Sequence, residues 1–406
     1  MSGFTRRAAL GALGLTGVAM AGAPKAEATS TGPLWTELPE LPPNRVDFSP
    51  HVPVHAPFWR QLGLAGMVAG QSGEYVLAAG GANFPEPALT SNRATVLGKV
   101  YWDEAFVLRR TPDGPQWIDQ PLRLPTSLAY AATVRTSRGL LVLGGEGFRH
   151  GPDGAKNSPV QIFADVFFLR YQGELVTEPL PPLPRPMSYA VAGMIGSTVY
   201  IAEGGDFFAL DTDRPHTGWQ VLPRWPGEPR TVAVGAALGG RFFLLSGRGQ
   251  RDGEWRFHRD VYSYDPVRAR WQREADLPWC VTAGLAYPVD DRYLLVVGGD
   301  KDLDRWNLIQ RETALAARYP PGSPEWAVHN DAITWIYDHH TGDNTEILRY
   351  DLRRRRWEVA GLFPGPPPVT TPAVTWDDEL LVISGEVRPG VRTPRVLSTP
   401  ARAWRP

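Results

Sequence analysis

The stretch Leu140–Glu146 reads LLVLGGE, an unbroken apolar run that halts at a glycine doublet and then delivers a carboxylate. Five more stretches share this form: YVLAAGG (Tyr75–Gly81), VYIAEGGD (Val199–Asp206), RFFLLSGR (Arg241–Arg248), YLLVVGGD (Tyr293–Asp300) and LLVISGE (Leu380–Glu386). Two of them carry Ser-Gly in place of Gly-Gly. Continuous apolar runs of this length predict strands buried on both faces. The glycines predict a tight turn and close backbone approach where each strand ends. Their second glycines fall at positions 81, 145, 205, 247, 299 and 385, so the shortest step runs from 205 to 247 and the longest from 299 to 385. Such spacing predicts one repeated unit lengthened unequally by loop insertions.

Working outward, each doublet leads into a second strand-like run, as in DEAFVLRR (Asp103–Arg110), ADVFFLRY (Ala164–Tyr171), DVYSYDP (Asp260–Pro266) and EILRYDL (Glu346–Leu352). A tryptophan then follows at Trp117, Trp219, Trp271 and Trp357, with a Leu-Pro or Phe-Pro step soon after; the second repeat lacks its tryptophan. This order resembles the kelch repeat, in which each unit forms one four-stranded blade. The resemblance implies an all-β, six-bladed kelch-type β-propeller. A ring also largely removes the open sheet edges that a stack of sheets would expose. After the sixth doublet too few residues remain for an outer strand, and LWTELPELPP (Leu34–Pro43) has the pattern of the blade-closing segments RWQREADLP and RWEVAGLFP. The strand around Trp35 is therefore expected to complete the C-terminal blade, with Trp404 a competing occupant of the same slot.

The bulk composition agrees with this reading. With 406 residues the chain has length for two or three domains or for one large repeat fold, and the repeat selects a single propeller over 29–406. A net charge of -1 gives no reason to expect a nucleic-acid partner. Pro and Gly, 40 and 42 residues, fall below the roughly 25–30% of disordered low-complexity chains and punctuate short strands instead. The single Cys280 excludes an intramolecular disulfide and a cysteine-based zinc cluster. Residues 1–28 read as an export signal: Arg6-Arg7 resembles a twin-arginine pair, an apolar stretch runs from Ala8 to Ala23, and Ala-Glu-Ala ends at Ala28. An uncleaved membrane anchor is the alternative, but that stretch is short for a span of roughly 20 residues. The expectation is a periplasmic or secreted protein with no membrane contact after signal cleavage.

The residues just past the doublets are Ala82, Glu146, Asp206, Arg248, Asp300 and Glu386. In a propeller these share one face, although turn positions are polar for ordinary reasons as well. The last of them opens ISGEVRPGVRT (Ile383–Thr393), where Glu386, Arg388 and Arg392 are concentrated around Gly385 and Gly390. That segment is similar to the NGExKPGxRT segment of the bacterial N-acetylneuraminate epimerases, kelch-type sialic acid mutarotases. GGANFP (Gly80–Pro85), KVYWDEAFVL (Lys99–Leu108) and the long insertion after Gly299 agree with it. The blade bearing Glu386 is last here and internal in the epimerases, as in the cyclically permuted mutarotases. The resemblance implies Glu386 as proton acceptor and Arg392 as a substrate-site residue. Arg388, Arg230 in GEPRTVAV and Asn83 are further substrate-binding candidates.

The residue types fit anomer exchange of an acidic sugar: a carboxylate serves as base, and a guanidinium holds a substrate carboxylate. General acid–base assistance needs no cofactor, and neither glycine-rich segment matches a nucleotide-binding pattern. The insertion 301–344 contains DRWNLIQRETALAARY, which has helical spacing, then PPGSPEW and YDHHTGDN. His329, Asp338, His339 and His340 read as a solvated loop rather than a metal site, since adjacent histidines do not share a helical face. Two other function classes stay open. One is a non-catalytic kelch propeller binding a glycan or protein. The other is a copper-radical oxidase, which would need a Cys–Tyr crosslink at Cys280.

Overall fold

Six antiparallel sheets follow one another around a central channel, five of four strands and one that adds a short fifth, Leu122–Arg123. The computed structural model describes residues 35–45, 63–84, 99–149 and 160–406; the export signal expected over 1–28 lies outside the described residues. Blade 1 runs outward from Val68–Ser72 through Tyr75–Ala79 and Glu104–Thr111 to Gly114–Trp117. Blades 2 to 5 repeat the order, with inner strands Ala132–Thr136, Val191–Ile195, Val234–Leu238 and Leu285–Val289. Blade 6 takes Val374–Trp376, Glu379–Ile383 and Val396–Pro400 from the C-terminus and its outer strand, Thr36–Leu38, from the N-terminus. Thr36 lies opposite Ser398 and Leu38 opposite Val396, so the ring is closed by the expected segment. Trp404 does not occupy the slot. It sits in a short helical turn and packs edge-on against Trp35, ring centroids 5.9 Å apart.

The unbroken apolar runs are explained by sandwiching. Val76 and Ala78 bury against blade 6 residues such as Trp376 and Leu381, whereas Leu77 and Ala79 bury against blade 2 residues such as Leu140 and Val142. Six such clusters exist, one between every pair of neighbouring blades, and so each second strand is apolar on both faces. Indole N–H groups staple the outer rims. Trp219 donates to Pro181 O, Trp271 to Pro223 O and Trp357 to Ala275 O, each reaching the carbonyl just past the preceding blade's outer strand. Trp117 donates in the same way to Pro39 O, placing the N-terminal strand in the repeat's own register.

Nearer the axis, Gly66, Tyr130, Tyr189, Val232, Ala283 and Thr370 precede the inner strands, and all six have left-handed backbone with φ between 47° and 69°. Five of them are not glycine, a costly choice unless the surroundings impose it. What imposes it is a chain of five backbone hydrogen bonds of 2.5 to 2.9 Å that links the six around the axis from Val232 to Tyr189: Ala283 donates to Val232, Thr370 to Ala283, Gly66 to Thr370, Tyr130 to Gly66 and Tyr189 to Tyr130. Below this throat the channel encloses about 520 Å³ lined largely by Ala, Gly and Thr, and none of the predicted site residues reaches it.

Blade 5 carries the insertion as two helices, α1 (Leu303–Ala316) and α2 (Pro324–Asp338). Asp302 caps α1 by accepting from Arg305 N, and Ser323 caps α2 by accepting from Trp326 N with Pro324 at the first helical position. Ile309, Ile336 and Tyr337 pack the two together. The spacing of Asp304–Tyr319 predicted α1. The second helix was not foreseen, although Ser323-Pro324-Glu325 is a helix-start signal in its own right.

Candidate active site

Four of the six doublet turns open into short hairpins on one face of the ring. Their strands are Ala82–Asn83 with Val100–Tyr101, Glu146–Gly147 with Gln161–Ile162, Arg248–Arg251 with Glu254–Phe257, and Glu386–Arg388 with Val391–Arg392. In blade 5, α1 and α2 replace the hairpin. Bridges Ala65–Ala82, Ala129–Glu146, Thr231–Arg248, Thr282–Asp300 and Val369–Glu386 tie five of the post-doublet residues to the segment entering their own blade's inner strand. The polar face is therefore assembled by a repeated piece of backbone, not by loop accident.

Gly385 shows why the approach to Glu386 demands glycine. Its φ is 109°, and a side chain there would meet the Pro368 Cβ at 2.7 Å and the Val369 carbonyl at 3.0 Å. Two backbone bonds between Glu386 and Val369, 2.8 and 3.0 Å, then hold the catalytic candidate in place. Arg392 lies directly across the hairpin, and its Nη2 reaches Glu386 Oε2 at 2.7 Å. The Arg392 side chain is 3% exposed, yet its Nε and Nη1 have no hydrogen-bond partner among the described residues. The ring of Phe84 covers the guanidinium at 4.8 Å. Buried N–H groups without acceptors are expensive, and a carboxylate entering beside Phe84 would satisfy them. Arg388 Nη1 donates to Asp338 O at 3.3 Å, placing a cation at the C-terminus of α2 and tying the hairpin to that helix.

Other post-doublet side chains complete the surround. Arg248 lies over the Trp306 ring of α1 at 3.6 Å. Burial pulls its pKa below the ordinary arginine value, opposed first by the Asp300 carboxylate nearby. Asp300 accepts from Asp302 N at 2.9 Å and faces Arg305 at 3.6 Å. Around blades 1 and 2, Tyr101 donates to Glu146 Oε1 at 2.6 Å and Lys99 reaches the same oxygen at 3.3 Å. Lys99 also sits over the Tyr130 ring at 4.4 Å, and Tyr130 stacks on Tyr189 at 4.3 Å. Burial, reinforced by Glu146, pushes the Tyr101 hydroxyl well above its usual range, so it remains a donor. Sequence reasoning marked Glu146, Arg248 and Asp300 by position alone; Lys99 and Tyr101 lie in the quoted KVYWDEAFVL segment but were not singled out, and Tyr130 and Tyr189 carry no motif.

Two predicted substrate-binding residues take other roles. Arg230 points into the protein, its side chain fully buried and bonded to Asp260 through Nη1 and Nη2 at 2.6 and 2.9 Å. Its remaining bonds go to Ser246 O and Glu228 O, which leaves it a structural strut. Asn83 is 4% exposed; it donates to Gly63 O and accepts from Trp102 Nε1, so it joins two segments rather than facing a ligand. The histidines of the insertion do not converge. His329 pairs with Glu312, His339 stacks on Trp335, and His340 Nδ1 accepts from Gly342 N.

The family model for N-acetylneuraminate epimerase matches residues 180–403, which include Glu386 and Arg392. The N-acetylneuraminate epimerase of Yersinia pestis (strain Pestoides F) is 29% identical over 230 residues, 54% of this chain and 57% of that protein. N-acetylneuraminate epimerase 1 of Escherichia coli O6:H1 is 24% identical over 251 residues, 58% of this chain and 63% of that one. The chain thus spans a little under two thirds of the length of these relatives. Among solved structures, that titled "Structure of YjhT" superposes with a TM-score of 0.54 over 86% of this chain and 96% of its own, at 15% identity, and so agrees in fold. With more than half of its length matched by the family model, the chain belongs to the N-acetylneuraminate epimerase family.

Proposed function

We propose that this protein is a sugar mutarotase that interconverts the anomers of N-acetylneuraminate or a related acidic sugar, acting after export by the twin-arginine route. The observation that carries the reading is the Glu386–Arg392 pair, in which a carboxylate sits 2.7 Å from a buried guanidinium that keeps two nitrogens without an acceptor among the described residues. N-acetylneuraminate bears a carboxylate on its anomeric carbon. A guanidinium holding that carboxylate would bring the neighbouring anomeric hydroxyl to the base beside it. Ring opening already proceeds slowly in water, and general acid–base assistance of roughly 10²–10⁴ is within reach of correctly placed side chains.

Proton NMR of freshly dissolved single-anomer N-acetylneuraminate, with and without the protein, tests this reading. The expected result is faster equilibration with an unchanged final anomer ratio. An unchanged rate together with saturable binding would make the protein a sugar-binding propeller instead.

A further inference from the structure

Removing a proton from the anomeric hydroxyl is half of the reaction; the ring oxygen must receive one. Glu386 sits beside Arg392 and is suited to the first task only. The neighbouring blade 5 brings two more carboxylates to the polar face, Asp300 and Asp343. Asp300 occupies the position in blade 5 that Glu386 occupies in blade 6, each bridged to the segment that enters its inner strand. Asp343 follows α2 and opens onto a cavity of about 290 Å³ that Asp300 and Arg305 also line.

The position of Asp343 is fixed by its neighbour. Asn344 is 1% exposed, and its Nδ2 donates to Cys280 O and Gly299 O at 2.9 and 2.7 Å. Single carboxylate oxygens of Asp300 and Asp343 and one ring nitrogen of His340 lie within 4.8 Å of one another. Asp343 makes no ion pair among the described residues. The nearest cation, Arg305, is already shared between Asp300 at 3.6 Å and Asp302 at 3.2 Å. His340 brings no positive charge: burial, helped by Arg305, lowers its pKa to about 4. Its Nδ1 accepts from Gly342 N, so the proton of the neutral ring is on Nε2. Two carboxylates this close and poorly neutralised disfavour each other's ionisation.

We propose that Asp343 is the proton donor of the reaction, working opposite Glu386 on the same bound sugar. This rests on the mutarotase reading above. Glu386 takes the anomeric hydroxyl proton as the bond from the anomeric carbon to the ring oxygen breaks. The electron pair of that bond stays on the ring oxygen, which takes the proton from Asp343, and a carbonyl forms at the anomeric carbon. After rotation of the open chain the steps reverse. The hydroxyl gives its proton back to Asp343 as it attacks the other carbonyl face, and Glu386 protonates the new anomeric oxygen. Neither residue is consumed. Burial, then Asp300 and Glu386, hold the Asp343 carboxyl well above the usual carboxylate range, opposed by Arg305. Burial likewise raises Asp300.

Asp343→Asn keeps the size and a hydrogen-bond donor but cannot give up a proton. Its expected effect is at least a 100-fold loss of catalysed exchange with sugar affinity retained, and loss of the basic limb expected in the wild-type pH profile. Carbon-13 NMR of the aspartate carboxyls reads the same group without turnover: one resonance, absent in Asp343→Asn, should titrate above the ordinary range. Wild-type activity with a fully active Asp343→Asn protein would overturn the assignment, as would activity abolished by EDTA and restored by a divalent cation. If the wild type accelerates no anomer exchange, the mutarotase reading falls, and the carboxyl titration still reports whether Asp343 holds a proton.

Discussion

Two buried arginines, 162 positions apart, each grip a carboxylate, and they differ in what is left over. Arg230 spends its donors on Asp260, Ser246 O and Glu228 O, all within the protein. Arg392 gives one nitrogen to Glu386 and leaves Nε and Nη1 without partners among the described residues. Burial and charge are alike in the two; satisfaction is not. A satisfied buried arginine is a brace, whereas an unsatisfied one stores an unmet demand that a ligand can meet.

The largest effect should separate the two pairs by activity. Glu386→Gln is expected to cut catalysed exchange by roughly 10²–10⁴ with the melting temperature nearly unchanged, as the base is lost but not the shape. NMR exchange rates and thermal melts on the same sample check this. Asp260→Ala should do the reverse, costing about 3–5 kcal/mol of stability by stranding Arg230, while the folded fraction keeps its activity. At present burial opposes ionisation of Asp260, but Arg230 prevails and holds its pKa below the ordinary value. Denaturant unfolding curves measure the loss, and a variant as stable as the parent would remove the contrast.

A subtler substitution, Arg392→Lys, keeps a positive charge beside Glu386 and removes the planar fork. The KM for acidic sugars should rise about 10- to 100-fold, in line with about 1.5–3 kcal/mol for a charged hydrogen bond. Neutral sugars should be little affected, and a panel of both classes shows the split. The smallest effect concerns a third buried carboxylate, gripped mainly by neutral donors. Glu104 accepts from Asn44 Nδ2 and Arg45 N, and burial raises its pKa to about 7. Its folded pKa exceeds the unfolded one, so its contribution is fully present below about pH 4.5 and is lost as pH climbs through 7. Glu104→Gln should flatten that decline by on the order of 2 kcal/mol between pH 5 and 8, read from unfolding curves across that range.

The ring was legible because its signal is repeated: six apolar runs and their glycines report a constraint that acts at every blade interface. Thr36–Leu38 was legible for the same reason, since it carries the pattern of a missing part. Glu386 and Arg392 stood out because they are packed into one short segment. Arg230 and Asn83 were misread because their partners, Asp260 and Trp102, lie 30 and 19 residues downstream, and nothing local announces the pairing. Asp343 sits in a run of polar residues that reads as a solvated loop. Only the fold shows Asn344 drawing that run beneath the doublet of blade 5.

Closing the ring through Thr36–Leu38 also sets a timetable. The pair Thr36 and Ser398 is separated by almost the whole chain, so this contact pays the largest loop-closure entropy in the molecule. Blades 1 to 5 are built from neighbours in sequence and can form early; blade 6 must wait for both ends. Refolding is therefore expected to be limited by this one seam. Pulsed hydrogen exchange should show the amides of 36–38 and 396–398 gaining protection last, and early protection there would mean that the ring closes elsewhere. Until the seam shuts, Trp35 and the apolar edge of Val396–Pro400 stand open to solvent. The slowest step of folding thus coincides with the greatest exposure to aggregation.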